Sequence, residues 1–168
     1  MSEVIQTASE RLLAPGGLGM RDLERTLNGV LGQDIDAGDV YFQLSRAQSW
    51  VLEDGIIREG SHSIEQGVGV RAIAGEKTGF AYSDEIVPDA LMSAAKAARA
   101  IARHGEQKTA AAWRSQTAPA LYPAIDPCES LSPEQVIAML HDADRFARAA
   151  DPCVKQVIAS LAGELRTI

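Results

Sequence analysis

The sequence has little of several residue types that would point directly to a function. Aromatic residues make up only 5% of its 168 residues, and there are two cysteines and three histidines. Two cysteines do not make a disulfide framework, which excludes the small disulfide-stabilised secreted folds. The low aromatic content predicts a core built mainly from Leu, Val, Ile and Ala.

Positive charge and long apolar runs are also scarce. The net charge is −7, and no cluster of Lys and Arg with interleaved aromatics offsets it, so direct binding to nucleic acid is not expected. No apolar run approaches the roughly 20 residues that span a bilayer. The first ten residues have neither the basic nor the apolar part of a signal peptide. We therefore expect a cytoplasmic protein that binds neither nucleic acid nor membranes.

The remaining composition is that of an ordinary globular domain, with 46% hydrophobic and 23% charged residues. The length predicts one domain over residues 1–168. Apolar spacing and helix-start signals predict four helices. These cover residues 2–13, 20–31, 88–105 and 132–151.

Two further segments follow less regular patterns. Residues 105–131 contain three prolines and little periodicity, which predicts a long irregular connection. Residues 154–161 alternate between apolar and polar side chains, which predicts a final strand. That strand needs a partner, either within this chain or outside it.

The most informative stretch is 38–85, which is rich in glycine and in alternating apolar residues. A period of two places side chains on opposite faces of a strand. Breaks at Asp54-Gly55, Glu59-Gly60 and Gly75-Glu76 predict turns. The fold class is therefore α+β: an antiparallel meander of three to four strands packed with helices, followed by a C-terminal helix and strand. The alternation runs through Val40, Phe42 and Leu44, through Val68, Val70, Ala72 and Ala74, and through Phe80 and Tyr82.

Two glycine motifs in this stretch look like nucleotide-binding loops. Residues 67–72 fit G-x-G-x-x-A, but that fingerprint works only where a strand ends and a helix begins. Because the alternation continues to Ala74, these glycines belong to a strand. Residues 75–79 lack the glycine that a phosphate-binding loop has directly before its lysine, so we interpret them as a hairpin turn.

Four phrases in this order carry a resemblance to a known family: GDVYFQ (38–43), SWVLEDG (49–55), GVGVRAIAGEKTGFAYSDE (67–85) and LYPAIDP (121–127). Together they resemble the N-terminal domain of the TldD/PmbA family, on the TldD side. The resemblance implies a bacterial zinc-dependent peptidase that works as a TldD–TldE pair on unfolded or small peptides. It also implies roles in peptide maturation and antitoxin turnover, and the older name modulator of DNA gyrase.

The zinc site that the resemblance implies lies in the C-terminal half of the family's proteins, as a HExxxH motif completed by a distant cysteine. None of His62, His104 and His141 is followed by glutamate, so this sequence contains no such motif. We therefore expect a chain without the C-terminal metal-binding domain, without catalytic residues and inactive alone. Zinc is expected in the full-length family member, and a TldE/PmbA-like subunit and a peptide substrate are the expected partners.

Other metal-binding pairs are incomplete. His62 with Glu65, and His141 with Asp144, could each supply two ligands at i, i+3 spacing. Zinc usually takes three or four protein ligands. No metal site is therefore expected on this chain.

The residues most suited to binding lie around the first predicted hairpin turn: Trp50, Glu53 and Arg58, with Arg71 further along. Trp and Arg are favoured at binding hot spots, and an exposed strand edge can take up an extended peptide. The same charges could instead form salt bridges on a strand surface, each of small energetic value. Both interpretations remain open.

The sequence and the resemblance together lead to two hypotheses about function. The first is a non-catalytic N-terminal domain of a TldD-like zinc metallopeptidase, which helps to form a chamber and the contact with TldE. The alternative is a stand-alone peptide- or protein-binding module without catalysis.

The two cysteines, Cys128 and Cys153, each follow Asp-Pro at opposite ends of one predicted helix, so no disulfide is expected between them.

Overall fold

The structure, a computed structural model, describes residues 3–32, 35–103 and 125–168. Its helices are α1 (Glu3–Leu12), α2 (Met20–Val30), α3 (Pro88–Ala102) and α4 (Pro133–Ala150). Its strands are β1 (Ala37–Glu53), β2 (Ile56–Ala74), β3 (Lys77–Ser83) and β4 (Ile158–Thr167). The strands form one sheet in the order β3-β2-β1-β4.

This element order confirms the predicted α+β fold. Each of the four predicted helices is present, and the final strand pairs with β1, although it begins at Ile158 rather than at residue 154. Most of the predicted irregular connection lies outside the described residues. None of the helices in the described ranges is long and apolar enough to cross a membrane.

Tight turns at two of the predicted positions join the first three strands. Asp54 and Gly55 both have positive φ, at 48° and 75°, as the two central residues of a type I′ hairpin turn require. Gly75 has a φ of 60° at the turn between β2 and β3. Asp and Gly adopt this left-handed region more readily than other residues, which is why the sequence signal is reliable here.

The turn predicted at Glu59-Gly60 is wrong, because β2 passes through both residues without a break. Gly60 serves packing instead. A Cβ at this position would lie 3.0 Å from the ring of Trp50, so the glycine leaves room for the indole. A glycine inside a strand often marks such a close approach.

The chain divides into two compact units, with β1 crossing the boundary after Leu44 and β2 crossing it before Glu65. The first unit contains α1, α2, α3 and β3. Its core forms where α2 and α3 cover one face of the strands. The buried side chains of its larger cluster are Val30, Ile35, Val70, Ala72, Ala74, Ala94, Ala95, Ala98 and Ala102.

Helix α3 presents an alanine face to the strands, as its composition predicts. Ala94, Ala95 and Ala98 are almost fully buried. The backbones then come so close that a Cβ on Gly79 of β3 would collide with the backbone oxygen of Ala98 and lie 2.8 Å from the nitrogen of Ala102. Small residues on both sides are therefore what allows the helix to lie on β3.

The second unit contains Ser45–Ile64 of the long hairpin together with α4 and β4. Helix α4 begins as predicted: the Ser132 hydroxyl accepts a hydrogen bond from the Gln135 N–H, and the Gln135 side chain accepts one from the Ser132 N–H. Its buried residues Val136 and Leu140 pack on Leu52, with Trp50 and Leu161 at the margin.

The two Asp-Pro-Cys sequences flank α4, and each forms the same local turn. The N–H of Cys128 donates to Asp126 at 2.9 Å, and the N–H of Cys153 donates to Asp151 at 2.7 Å. These are Asx turns, in which the carboxylate binds the backbone two residues later. Both cysteines are free thiols, Cys128 buried and Cys153 exposed.

Candidate functional site

Trp50, Glu53 and Arg58 all lie in the second unit, near the turn that joins β1 to β2. Trp50 packs at the edge of the Leu52 cluster and is half-buried. Its indole Nε1 is fully enclosed, and no hydrogen-bond partner for it is present in the described part of the chain. The indole therefore contributes mainly apolar contact to this unit.

Glu53 and Arg58 form an exposed polar surface beside the turn. Arg58 Nε lies 3.4 Å from Glu53 Oε2, and the Gln156 side chain donates to Glu53 Oε1 at 2.9 Å. The side chain of Arg58 is 55% exposed and that of Glu53 35%. The predicted salt-bridged surface is therefore present, and its charged groups remain accessible to a partner.

The predicted turn is also held by the side chain of Asp54, through contacts that the sequence did not reveal. Its carboxylate accepts hydrogen bonds from the N–H of Val157, at 3.0 Å, and from the guanidinium of Arg148. These two interactions hold the pKa of Asp54 below its ordinary value, and the carboxylate in turn raises the pKa of Arg148. Arg148 also binds Asp144 at 3.1 Å.

A second polar cluster that the sequence did not reveal precedes α4. Arg46 on β1 binds Asp126 at 3.0 Å and Glu129 at 2.6 Å. The Asp126 side chain is only 5% exposed, so its charge requires this partner. The hydrogen bond to Glu129, together with the negative charge of Asp126, keeps the pKa of Arg46 above its ordinary value. We find no feature of this cluster that could perform chemistry, and interpret it as structural.

Arg71 lies in the first unit, so the structure does not place it beside the other three candidate residues. Its guanidinium pairs with Asp39 on β1, with Nη2 at 2.7 Å and Nε at 2.8 Å from the same carboxylate oxygen. About half of each side chain is exposed. Arg71 is thus an available but paired cation.

The first unit also carries a groove on the sheet face opposite α2 and α3, which we call the aromatic trough. Tyr41 of β1 lies on one side of it, Phe80 and Tyr82 of β3 on the other, and Gly67 and Gly69 of β2 form its floor. Its volume is about 440 Å³. In the sequence Tyr41 alternates with the inward-facing Val40 and Phe42, and Phe80 and Tyr82 alternate with the inward-facing Gly79 and Ala81.

The described residues do not fit a zinc site. No three His, Cys, Asp or Glu side chains of residues 3–32, 35–103 and 125–168 come together in a way that could hold a metal ion. His62 and His141 are exposed, and Asp144 is engaged by Arg148. His104 lies outside the described residues.

Comparison with known proteins identifies the family. Residues 38–102 match the profile of the PmbA/TldA metallopeptidase domain 1. The chain belongs to the TldD/PmbA family. A metalloprotease TldD homologue from Haemophilus influenzae is 46% identical over 94% of this chain, and one from Buchnera aphidicola (Acyrthosiphon pisum) is 37% identical over 97%. The chain spans about a third of the length of these relatives, at 33% and 34%.

Solved structures show the same fold. A proposed modulator of DNA gyrase from Bacteroides thetaiotaomicron superposes with a TM-score of 0.60 over 87% of this chain and 36% of its own, at 18% identity. TldE from Thermococcus kodakarensis superposes with a TM-score of 0.52 over 88% of this chain and 33% of its own, also at 18% identity. The resemblance in sequence is thus matched by a resemblance in fold. Because full-length members of this family are metallopeptidases, a metal is implied for them.

Proposed function

We propose that this chain acts as the N-terminal, non-catalytic domain of a cytoplasmic TldD-like zinc metallopeptidase that cleaves unfolded or small peptides. In this role it helps to form the chamber and the contact with a TldE-like subunit. The observation that carries the proposal is the 46% identity with the Haemophilus influenzae TldD homologue across 94% of the chain. Since the sequence has no HExxxH motif, zinc and hydrolysis would come from other parts of the full-length protein.

A chimaera tests this role directly. Residues 1–168 would replace the matching third of the Haemophilus influenzae homologue, and cleavage of a denatured-peptide library would be measured with its TldE partner. We expect the chimaera to bind zinc and to cleave, because the domain supplies the same surfaces. The 168-residue chain alone should hold less than one zinc per chain and cleave nothing.

A variant without the catalytic glutamate is the control for cleavage by the chimaera. The same chimaera with alanine in place of the homologue's HExxxH glutamate should fold and pair but not cleave. A chimaera that folds, holds zinc and pairs with TldE, yet cleaves nothing, would contradict a shared domain role. Tightly bound zinc on the 168-residue chain alone would contradict the non-catalytic assignment.

Within this role we propose that Trp50, Glu53 and Arg58 contact a peptide or a partner subunit, and that Arg71 provides a separate contact. The exposure of both arginines supports this. A Trp113→Phe variant leaves Trp50 as the sole tryptophan, because the chain has two. Adding an unfolded peptide or the TldE-like subunit should then shift the Trp50 emission. No shift at millimolar peptide or saturating subunit would count against this surface.

A binding module without catalysis is the second candidate. The aromatic trough favours it, because Phe80 and Tyr82 are large apolar side chains that are 55% and 78% exposed. Exposed apolar patches often mark binding sites. The chimaera separates the two candidates, since a module with an unrelated role would not restore cleavage.

A further inference from the structure

The aromatic trough is built by the absence of side chains on β2. Phe80 pairs across the strands with Arg71, and Tyr82 pairs with Gly69. A Cβ at Gly69 would lie 2.9 Å from the Phe80 ring, so the ring leans over the glycine backbone. A Cβ at Gly67 would lie 3.0 Å from the backbone oxygen of Ser83. The two glycines therefore let the strand backbone form an open floor.

The walls of the trough expose aromatic surface that the described residues do not cover. Tyr41 is 43% exposed, with its hydroxyl hydrogen-bonded to Gln43 at 2.8 Å. Tyr82, across the trough, is 78% exposed. Leaving three aromatic side chains exposed around one groove is unfavourable in water, so an occupant that covers them would be stabilised.

The charge of the trough selects the kind of occupant. Among its lining residues the charged ones are Glu65 and Asp84, both acidic. Aromatic ring faces also carry partial negative charge and attract cations. Arg71, which lies opposite Phe80 on the same sheet face, is already paired with Asp39. Acidic side chains and ring faces thus favour a positively charged group.

We propose that the aromatic trough binds the arginine side chain of an extended polypeptide segment. The planar guanidinium can stack on a tyrosine or phenylalanine ring while its methylene stem covers apolar surface. Glu65 and Asp84 supply the opposite charge. This goes beyond the peptidase role, because binding requires neither metal nor hydrolysis, and its failure would leave the chimaera result unaffected.

The test compares two peptides that differ in charge but not in shape. An otherwise uncharged eight-residue peptide with a central arginine, and its twin with citrulline, would be titrated into the ¹⁵N-labelled 168-residue chain. We expect the arginine peptide to shift the amides of Gly67, Gly69 and Tyr82 with a Kd on the order of 1 mM. The citrulline peptide should bind about threefold or more weakly, and added salt should reduce the difference.

Two substitutions test whether the arginine peptide binds in the aromatic trough. Tyr82→Leu, which keeps an apolar side chain but removes the ring, should weaken the arginine peptide about two- to fivefold. Phe146→Leu is the matched control, because Phe146 is an exposed aromatic of the second unit, and it should change nothing. An unchanged amide spectrum away from the substitution shows that each variant is folded.

The proposal would be overturned by equal binding of the arginine and citrulline peptides, by unchanged affinity in Tyr82→Leu, or by peptide-induced shifts confined to residues outside the trough. Tighter binding of a fully apolar peptide than of the arginine peptide would likewise identify the trough as a hydrophobic contact and reject the cationic occupant.

Discussion

In both units a helix packs on strands, but the side chains between helix and strands are small in the first unit and large in the second. In the first unit α3 lies so close to β3 that only alanines and a glycine fit between the backbones. In the second unit α4 stands on larger side chains, Leu52, Val136 and Leu140, and is flanked by ion pairs. We conclude that the contact between α3 and β3 depends on the absence of volume, and that the contact between α4 and the strands depends on its presence. The first contact should therefore be sensitive to added side-chain volume and the second to its removal.

The largest effect should come from removing volume in the second unit. Leu52 is fully buried, so Leu52→Ala should lower the free energy of unfolding by about 2–5 kcal/mol. Urea denaturation measures this. The exposed Ile158→Ala on β4 is the control and should cost far less. Equal losses for both variants would show that this cluster is not the core of the unit.

The next largest effect should come from adding volume at the contact between α3 and β3 in the first unit. Gly79→Ala introduces a Cβ that collides with the backbone of α3, and we expect a loss near the upper end of about 1–3 kcal/mol. Gly163→Ala is the matched strand glycine of the second unit. Its Cβ would lie 3.9 Å from the Cys128 sulfur, in ordinary contact, so stability should barely change. Similar losses of stability in the two variants would show that the contact between α3 and β3 is no less tolerant of added volume than β4 is.

A smaller effect should separate the two ion pairs of Arg46. Arg46→Met removes the positive charge that pairs with the nearly buried Asp126, and should cost about 1–3 kcal/mol. Glu129→Gln alters only the outer pair, whose carboxylate is 60% exposed, and should cost no more than about 1 kcal/mol. Thermal unfolding of both variants provides the measurement. A greater loss in Glu129→Gln would reverse our interpretation of which carboxylate needs the arginine.

The smallest expected effect is on the pH dependence of folding stability. Because the pKa of Asp54 is lowered in the folded state, its contribution to stability is present above its unfolded pKa of about 3.9 and is lost as pH falls through the lower folded value. Asn tolerates the positive φ of this position, so Asp54→Asn should leave the turn intact. The variant should lose less stability than the parent between pH 5 and pH 2, by comparison of melting temperatures across that range. An identical acid dependence in both proteins would assign the loss to other carboxylates.

Local signals with a single mechanism predicted their elements well. Ser132 with Gln135 marks the start of α4, Pro88 marks the start of α3, and Asp54-Gly55 gives the left-handed turn. Each works because the chemistry of one or two neighbouring residues decides the backbone conformation. The alanine face of α3 likewise predicted close packing, since small side chains bury little unless the backbones approach.

Features that depend on distant residues could not be predicted. Gly60 has the same local appearance as a turn glycine, and only the Trp50 ring, ten residues earlier, explains it. The assignment of Arg71 to a different unit from Trp50, Glu53 and Arg58 depends on where β2 passes from one unit to the other. Predicting the aromatic trough would have required the pairing of β2 with β3. The alternation of Phe80 and Tyr82 does not by itself say which face of the strand is exposed.

The Asp-Pro-Cys turns have a practical consequence. Their backbone geometry depends on the aspartate carboxylate and the cysteine N–H, so the two thiols are not needed to hold them. One thiol is enclosed and the other is accessible, and the chain has only these two cysteines. A maleimide reagent should therefore modify Cys153 first and leave Cys128 protected while the protein is folded. The sequence thus offers a single attachment point for a fluorescent or spin label, five residues before the start of β4.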